Sequence, residues 1–280
     1  MLRACSMAPF PGGLWILAAF VGFALAGQGA DTEGRTLRPA EVILERFIEV
    51  TGGRAAYERL HSRVARGRME ASDGKVAGLM TMYQAVPNKL RMRFETFEGM
   101  AIERGFDGDV VWEVDYRGQA RTIEGLERAS AIRLASFNAE LHWPDLFENV
   151  RTVGTDLVDG RECHTVELTP KGEPAQFHFF DKATGLRVKM LVPYQIGEAT
   201  VDIEMIPGEY KPADGIRLPF VTRQRLMEQD RIVALDTIVH NVPIPPEVFE
   251  LPCEVKALLE ERSKALGYTP NVPNGSGADE

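Results

Sequence analysis

Three cysteines and five histidines in 280 residues leave little material for several kinds of chemistry. No His-Glu-x-x-His and no Cys-x-x-Cys occurs, so the ligand spacing of a zinc hydrolase is missing. Nucleophilic hydrolysis lacks a Gly-x-Ser-x-Gly turn, and His61, His142, His164, His178 and His240 are scattered rather than set beside an activated serine or cysteine. Glycine-rich phosphate loops are absent too, which removes the usual dinucleotide and P-loop readings. There is no Lys/Arg block: 32 basic residues face 41 acidic ones, for a net charge of −9. An acidic chain of this kind has no electrostatic footprint for nucleic acid or an anionic membrane. The longest apolar run, Leu14 to Ala26, has 13 residues, against roughly 20 for a helix that crosses a bilayer.

That run does have a reading. Arg3, the apolar stretch and Ala24-Leu25-Ala26 before Gly27 form the pattern of a secretory signal peptide over residues 1–26. The mature protein is therefore expected to be soluble, without a membrane span, and periplasmic or secreted. Cys5 leaves with the signal, and an exported chain permits a disulfide between Cys163 and Cys253. Spacing does not say whether their Cα atoms approach closely enough, and two small buried thiols are the alternative.

From Gly27 onward the periodicity changes several times. Thr36 to Val50 reads as a helix, with Pro39 in its first turn and Val42, Ile43, Phe47 and Val50 at helical spacing; Gly52-Gly53 ends it, and a short helical piece follows over Arg54 to Leu60. Residues 63 to 120 alternate, most clearly in LRMRFE, where Leu90, Met92 and Phe94 oppose Arg91, Arg93 and Glu95. Ile123 to Asn149 breaks this rhythm and reads as one or two inserted helices. Strand patterning returns until the proline-rich NVPIPPEVFELP, after which residues 253–267 read as an amphipathic helix and 268–280 as a disordered tail. About ten strands joined by short turns, with helices grouped in two places, argue an α+β fold. Its sheet is antiparallel and strongly curved, with helices covering the concave face.

The acid-rich GFDGDVVWEVD, residues 105 to 115, poses a choice between chemistry and turn-making. Asp-Gly recurs at 73–74, 159–160 and 214–215, each time between alternating runs. Glycine accepts a positive φ and aspartate tolerates the neighbouring position, so the set reads as hairpin punctuation. Of this stretch only Trp112 is expected to point toward a ligand. It joins Met80, Met82, Met92, Phe94, Phe177, Phe179, Met205 and Phe220 as candidate lining of an apolar cavity. Methionine adapts to apolar ligands of variable shape, although a sheet packed on helices uses the same side chains. No catalytic residue, metal ligand or cofactor is assigned.

The phrases FDGDVVWEVD, LVDGRECHTVEL, FDKATGLRVKM, YKPADGIRLPF and NVPIPPEVFELP occur in an order that resembles the outer-membrane lipoprotein-sorting, LolA/LolB-like family, over about Gly52 to Pro252. The resemblance implies an unclosed β-barrel, a β-half-barrel domain over residues 27–252 that shelters acyl chains. It also implies a non-enzymatic carrier whose partner is a lipid or a lipoprotein acyl chain. This sequence lacks the anchoring cysteine of the receptor type. The other reading is a structural or protein-interaction module of the cell envelope with no small ligand.

Overall fold

The computed structural model describes residues 37–196, 199–227 and 229–265. The expected signal peptide, the tail from residue 268 and the last two residues of the 253–267 helix lie outside them.

Two helices open the described part of the chain, α1 (Ala40–Val50) and α2 (Arg54–Glu58). Pro39 precedes the first helical residue, where its missing N–H costs no hydrogen bond. At the other end the Thr51 hydroxyl donates to the Phe47 carbonyl at 2.7 Å and accepts from Tyr57 Oη at 2.9 Å, which ties α2 back to α1.

Six strands follow as a meander: β1 (Ser62–Ala71), β2 (Val76–Ala85), β3 (Lys89–Thr96), β4 (Ala101–Phe106), β5 (Val111–Val114) and β6 (Ala120–Thr122). The chain then crosses the molecule through α3 (Gly125–Ala135), a 3-10 turn over Ala139–Leu141 and α4 (Trp143–Leu146). A second meander comprises β7 (Asn149–Val158), β8 (Arg161–Thr169), β9 (Gln176–Asp181), β10 (Arg187–Ile196), β11 (Ala199–Ala213), β12 (Ile216–Leu226) and β13 (Gln229–His240). A 3-10 turn at Pro246–Phe249 and α5 (Cys253–Ala265) end the described chain.

These strands form one antiparallel sheet of thirteen, in the order β6-β5-β4-β3-β2-β1-β13-β12-β11-β10-β9-β8-β7. Each meander pairs strand to next strand, so one long-range ladder joins the halves, β1 against β13. The outermost strands, β6 and β7, do not pair, and the barrel stays open. The thirteen exceed the ten or so expected. β6 has three residues, too few for an alternation to show, and β7 carries a bulge at Thr152/Gly154 that breaks its period.

The Asp-Gly pairs occupy hairpin turns. Asp159 and Gly160 have φ of 47° and 76°, and Asp214 and Gly215 have 51° and 94°, the doubly positive conformation of two-residue hairpins. Asp107 Oδ1 accepts from the backbone N–H groups of Asp109 and Val110, both at 2.8 Å, so this carboxylate holds its own turn.

Helices fill part of the concave side. Ile43, Leu44 and Phe47 of α1 pack on Val166, Leu168 and Phe180; Ile48, Ala56 and Tyr57 pack with Phe137 and Ile216; Ala135 of α3 packs on Leu90, Phe106 and Val111. Between them lies a buried polar cluster around Arg63, which donates to His240 Nε2 at 2.9 Å, Gln84 Oε1 at 3.2 Å and Asn138 Oδ1 at 3.0 Å. Burial pulls its guanidinium below the ordinary value and the neighbouring Glu140 opposes that. His240 Nδ1 meets Asp214 Oδ2 at 3.0 Å, so the fourth Asp-Gly turn is fastened to this cluster.

Candidate functional site on the concave face of the sheet

Residues directly opposite one another in an antiparallel ladder point to the same side, so the pairing assigns each candidate a face. Met82 stands opposite Met92, and both pack with Ala131 and Ile132 of α3, which marks their side as concave. Met80 stands opposite Phe94 in the same ladder and shares that side. The face continues through Gly67 to Leu235, and through Met69 to Val233 and Thr222. Phe220, two residues from Thr222, belongs to it, as does Met205 opposite Gln224 and Met190. Met80, Met82, Met92, Phe94, Met205 and Phe220 are thus brought to one surface.

Trp112, Phe177 and Phe179 are not. Trp112 is opposite Gly105, which is opposite Arg91, so the indole faces outward. Phe177 and Phe179 flank His178, whose partner Val166 lies beneath α1; they also point out, into a cluster with Cys163 and Val188. The expectation that Trp112 points toward a ligand is therefore corrected. Its strand alternates as expected, but Glu113 takes the inner side and the tryptophan the outer one.

The reason lies in the chain's C-terminal segment, which runs over the outer face of β3 to β6. Arg91 stacks 5.5 Å from the Trp112 ring and donates to the Val248 carbonyl at 3.1 Å. Lys89 Nζ lies 6.0 Å from the Phe249 ring, and α5 packs on β5 and β6, with Arg262 donating to Thr122 Oγ1 at 2.7 Å. Trp112 is 1% exposed in consequence. The expected amphipathic helix docks through one face, with Val255 fully buried.

On the concave side, Met69, Met80, Val192, Ile203, Met205, Phe220, Val233 and Leu235 keep partial exposure. Among the described residues, none of these belongs to the clusters that pack against α1, α2 or α3. Among the described residues, a band of apolar side chains thus runs across β1, β2 and β10 to β13 outside these clusters, with α3 touching it at β10.

One end of this band is charged. Arg104 of β4, opposite Met92, pairs with Glu127 of α3 and lies 3.9 Å from Glu113; Arg121 of β6 reaches Glu113 at 2.9 Å and Glu127 at 3.0 Å. Burial pushes Glu127 up, but Arg121 and Arg104 together hold it below its ordinary value. Tyr194 of β10 completes the group. Burial, aided by Glu127, pushes its phenol up to about 12.

Two further depressions lie elsewhere. A groove of about 890 Å³ between α1 and the 181–185 turn is lined by Arg38, Glu41, Glu45, Arg46, Glu49, Asp181 and Lys182 beside Ile43 and Phe180. That charged lining suits no acyl chain. A smaller one of about 330 Å³ touches Val158, Val188, Ile206 and Arg217. Cys163 and Cys253 are both free, the first buried and the second exposed, so the disulfide permitted by export is not formed. Among the described residues, no group of three or more His, Cys, Asp or Glu side chains is placed to hold a metal ion, and no helix is long and apolar enough to cross a membrane.

Compared by sequence, the chain matches no family model and no curated protein. Compared by fold, it is similar to a DUF1329 family protein from Desulfovibrio piger, at a TM-score of 0.56 and 15% identity over 76% of this chain and 98% of that one. A LolA superfamily protein from Nitrosomonas europaea aligns at 0.53 and 12% identity, over 77% and 99% of the two chains. An outer-membrane lipoprotein-sorting protein domain from Vibrio parahaemolyticus gives 0.53 and 15%, over 79% and 99%. The fold is therefore LolA-like, an unclosed barrel shared with proteins of the lipoprotein-sorting kind. At such identities the likeness is one of fold.

Proposed function

We propose that the protein is an exported, non-enzymatic binding protein, periplasmic or secreted, that shelters a lipid or lipoprotein acyl group against the concave face of its sheet. The observation that carries this is the apolar band of Met69, Met80, Met205, Phe220 and Leu235, partly exposed on a face that curves inward. Burying such surface is favourable at about 25 cal/mol per Å². The methionines at its centre adapt to a flexible chain. The LolA-like fold supports the same reading.

The test is the protein's own cargo. Protein purified from envelope extracts without detergent is expected to release acyl lipid or lipopeptide on solvent extraction, seen by mass spectrometry in stoichiometric amount. Protein that carries no lipid and takes up none from vesicles or from an apolar dye would overturn the reading.

The second reading, an envelope interaction module, has one observation in its favour. Phe177 and Leu191 are only partly buried on the outer face, around the Cys163 cluster, where no helix packs among the described residues. Phe177→Ser would then abolish capture of a specific envelope protein, and unchanged capture would remove this support.

A further inference from the structure

The groove between α1 and the 181–185 turn holds charges left over from the fold's own ion pairs. Along α1, Glu45 is taken by Arg54 and Glu49 by Arg46, each at 2.7 Å. Asp181 Oδ1 accepts from the backbone N–H groups of Ala183 and Thr184, which commits that oxygen to its own turn. Lys182 reaches only the exposed Glu162, at 3.4 Å, and a surface pair of this kind is worth little. Arg38 and Glu41 also line the groove, and among the described residues their side chains have no ion pair or hydrogen bond. The backbone of Arg38 is anchored, because its carbonyl accepts from Thr152 Oγ1 at 2.6 Å.

His164 of β8 lines the same groove. It stands opposite Phe180, which packs under α1, so its ring turns to the concave side. Nδ1 is closed off and, among the described residues, without a partner, which leaves Nε2 as the nitrogen open to the groove. Burial, then Lys182 and Arg38, hold the imidazole below its ordinary value, so the ring is neutral above about pH 7. A stranded lone pair costs less than a stranded N–H, and the proton therefore sits on Nε2. The groove thus carries three donors, Arg38, Lys182 and His164 Nε2–H, and one uncommitted acid, Glu41.

These leftovers define a ligand. The donors come from three separate segments: the stretch before α1, β8 and the β9–β10 turn. That arrangement suits the oxygens of a tetrahedral phosphate better than the two coplanar oxygens of a carboxylate. A phosphomonoester would bring close to two negative charges beside Glu41 and Asp181. A phosphodiester brings one, and an ammonium on the same ligand matches Glu41.

We propose that this groove binds a zwitterionic phosphodiester of the phosphoethanolamine kind, with the phosphate held by Arg38, His164 and Lys182 and the ammonium by Glu41. The site lies beside α1 at β8 and β9, apart from the apolar band, and goes beyond the acyl-binding reading without resting on it.

The probe is glycerophosphoethanolamine, which has the head group without acyl chains, titrated calorimetrically into the full chain at about pH 7.5 and low salt. It is expected to bind at least about tenfold more tightly than glycerol 3-phosphate, which lacks the ammonium, or glycylglycine, which lacks the phosphate; one charge-assisted hydrogen bond supplies that margin. Arg38→Gln is expected to weaken it by about tenfold or more. Glu41→Gln is expected to weaken it by about three- to tenfold while glycerol 3-phosphate binds as well or better, a divergence that loss of structure would not produce. Both positions are exposed, and circular dichroism checks the fold of each variant. Vesicles of phosphatidylethanolamine and phosphatidylcholine distinguish the source. Sedimentation with them that glycerophosphoethanolamine reverses assigns the site to a lipid head group, and binding of the soluble diester without sedimentation assigns it to free diester. No binding of glycerophosphoethanolamine, equal or tighter binding of glycerol 3-phosphate or glycylglycine, or an affinity indifferent to both substitutions overturns the inference. The acyl-binding reading, tested by lipid release and dye uptake, is untouched by any of these.

Discussion

A β-carbon built on Gly105 would lie 2.5 Å from Trp112 Cζ2 and 2.9 Å from the Leu90 carbonyl oxygen, so the bare glycine backbone forms the slot that the indole fills. The backbone oxygen cannot move aside without breaking the β3–β4 ladder. Gly105→Ala is expected to destabilise the protein by about 1–3 kcal/mol, the usual cost of overpacking. The urea midpoint should fall at unchanged slope. An unchanged midpoint would mean that the indole does not occupy this slot.

The segment that covers Trp112 from the other side makes a separate prediction. Phe249 is buried, and Lys89 lies over its ring. Phe249→Ala is expected to cost about 3–5 kcal/mol. In a Trp143→Phe background lacking residues 1–26, and with them Trp15, the Trp112 emission should also shift to the red. A blue, quenched-resistant Trp112 signal in that variant would show that the C-terminal segment is not its cover.

The same tryptophan marks where the sequence stops being legible. Alternation in LRMRFE told the inner residues from the outer ones because Arg91, Arg93 and Glu95 form ion pairs on the outside while Leu90 and Met92 pack under α3. In VWEV both sides are covered, by α3 within and by the C-terminal segment without, so hydrophobicity no longer separates them. Glu113 is tolerated inside because Arg121 and Arg104 reach it. In QFHFFD, likewise, His178 turns inward with Phe180 while Phe177 and Phe179 turn outward, and nothing local to the strand marks that choice. The Asp-Gly turns and the first helix were readable because their cause is local. Which face curves inward depends on the β1–β13 pairing, between residues far apart in the chain.

His178 gives a pH dependence with a definite sign. Burial first, and then Arg187, hold its imidazole well below the ordinary value, so the native ring is neutral. The unfolded chain takes up a proton near pH 6.5 and the native state does not. Stability is thus complete above about 6.5 and is lost as pH falls through that value, by at most about 1.4 kcal/mol per pH unit for this group. His240, depressed by burial and Arg63 against the pull of Asp214, acts in the same direction. Glu127, Asp214 and Asp230, held below the carboxylate range, contribute only at lower pH. Urea midpoints should therefore drop between pH 7.5 and 5.5, and His178→Gln should lose less over that interval. An equal drop in the variant would place the titration elsewhere.

The two thiols should differ in kind. Cys253 is exposed at the start of α5; Cys163 is buried among Phe179 and Val188, and burial followed by Asp181 pushes its thiol up. In a chain lacking residues 1–26, Ellman's reagent is expected to label one cysteine at once and the second only in denaturant. Exposure favours the first, and the raised thiol of Cys163 holds back the second. A bridged Cys163–Cys253 peptide in a non-reducing digest would contradict this arrangement.

The division of the aromatic and methionine residues between two faces is itself open to test. Met205 lies on the concave band and Phe177 on the outer face, both partly exposed, so a lysine at either position leaves its ammonium a route to water. If the concave band is the binding surface, Met205→Lys places a charge where an acyl chain must lie. Dye and lipid affinity should then fall by more than about tenfold, since an unpaired charge facing an apolar ligand costs well over 1.4 kcal/mol. Phe177→Lys should leave binding within about twofold and change stability alone. Circular dichroism at equal concentration controls for folding in both variants. The reverse pattern, with Phe177→Lys abolishing uptake and Met205→Lys neutral, would move the site to the outer face, because the two side chains point to opposite sides of one continuous sheet.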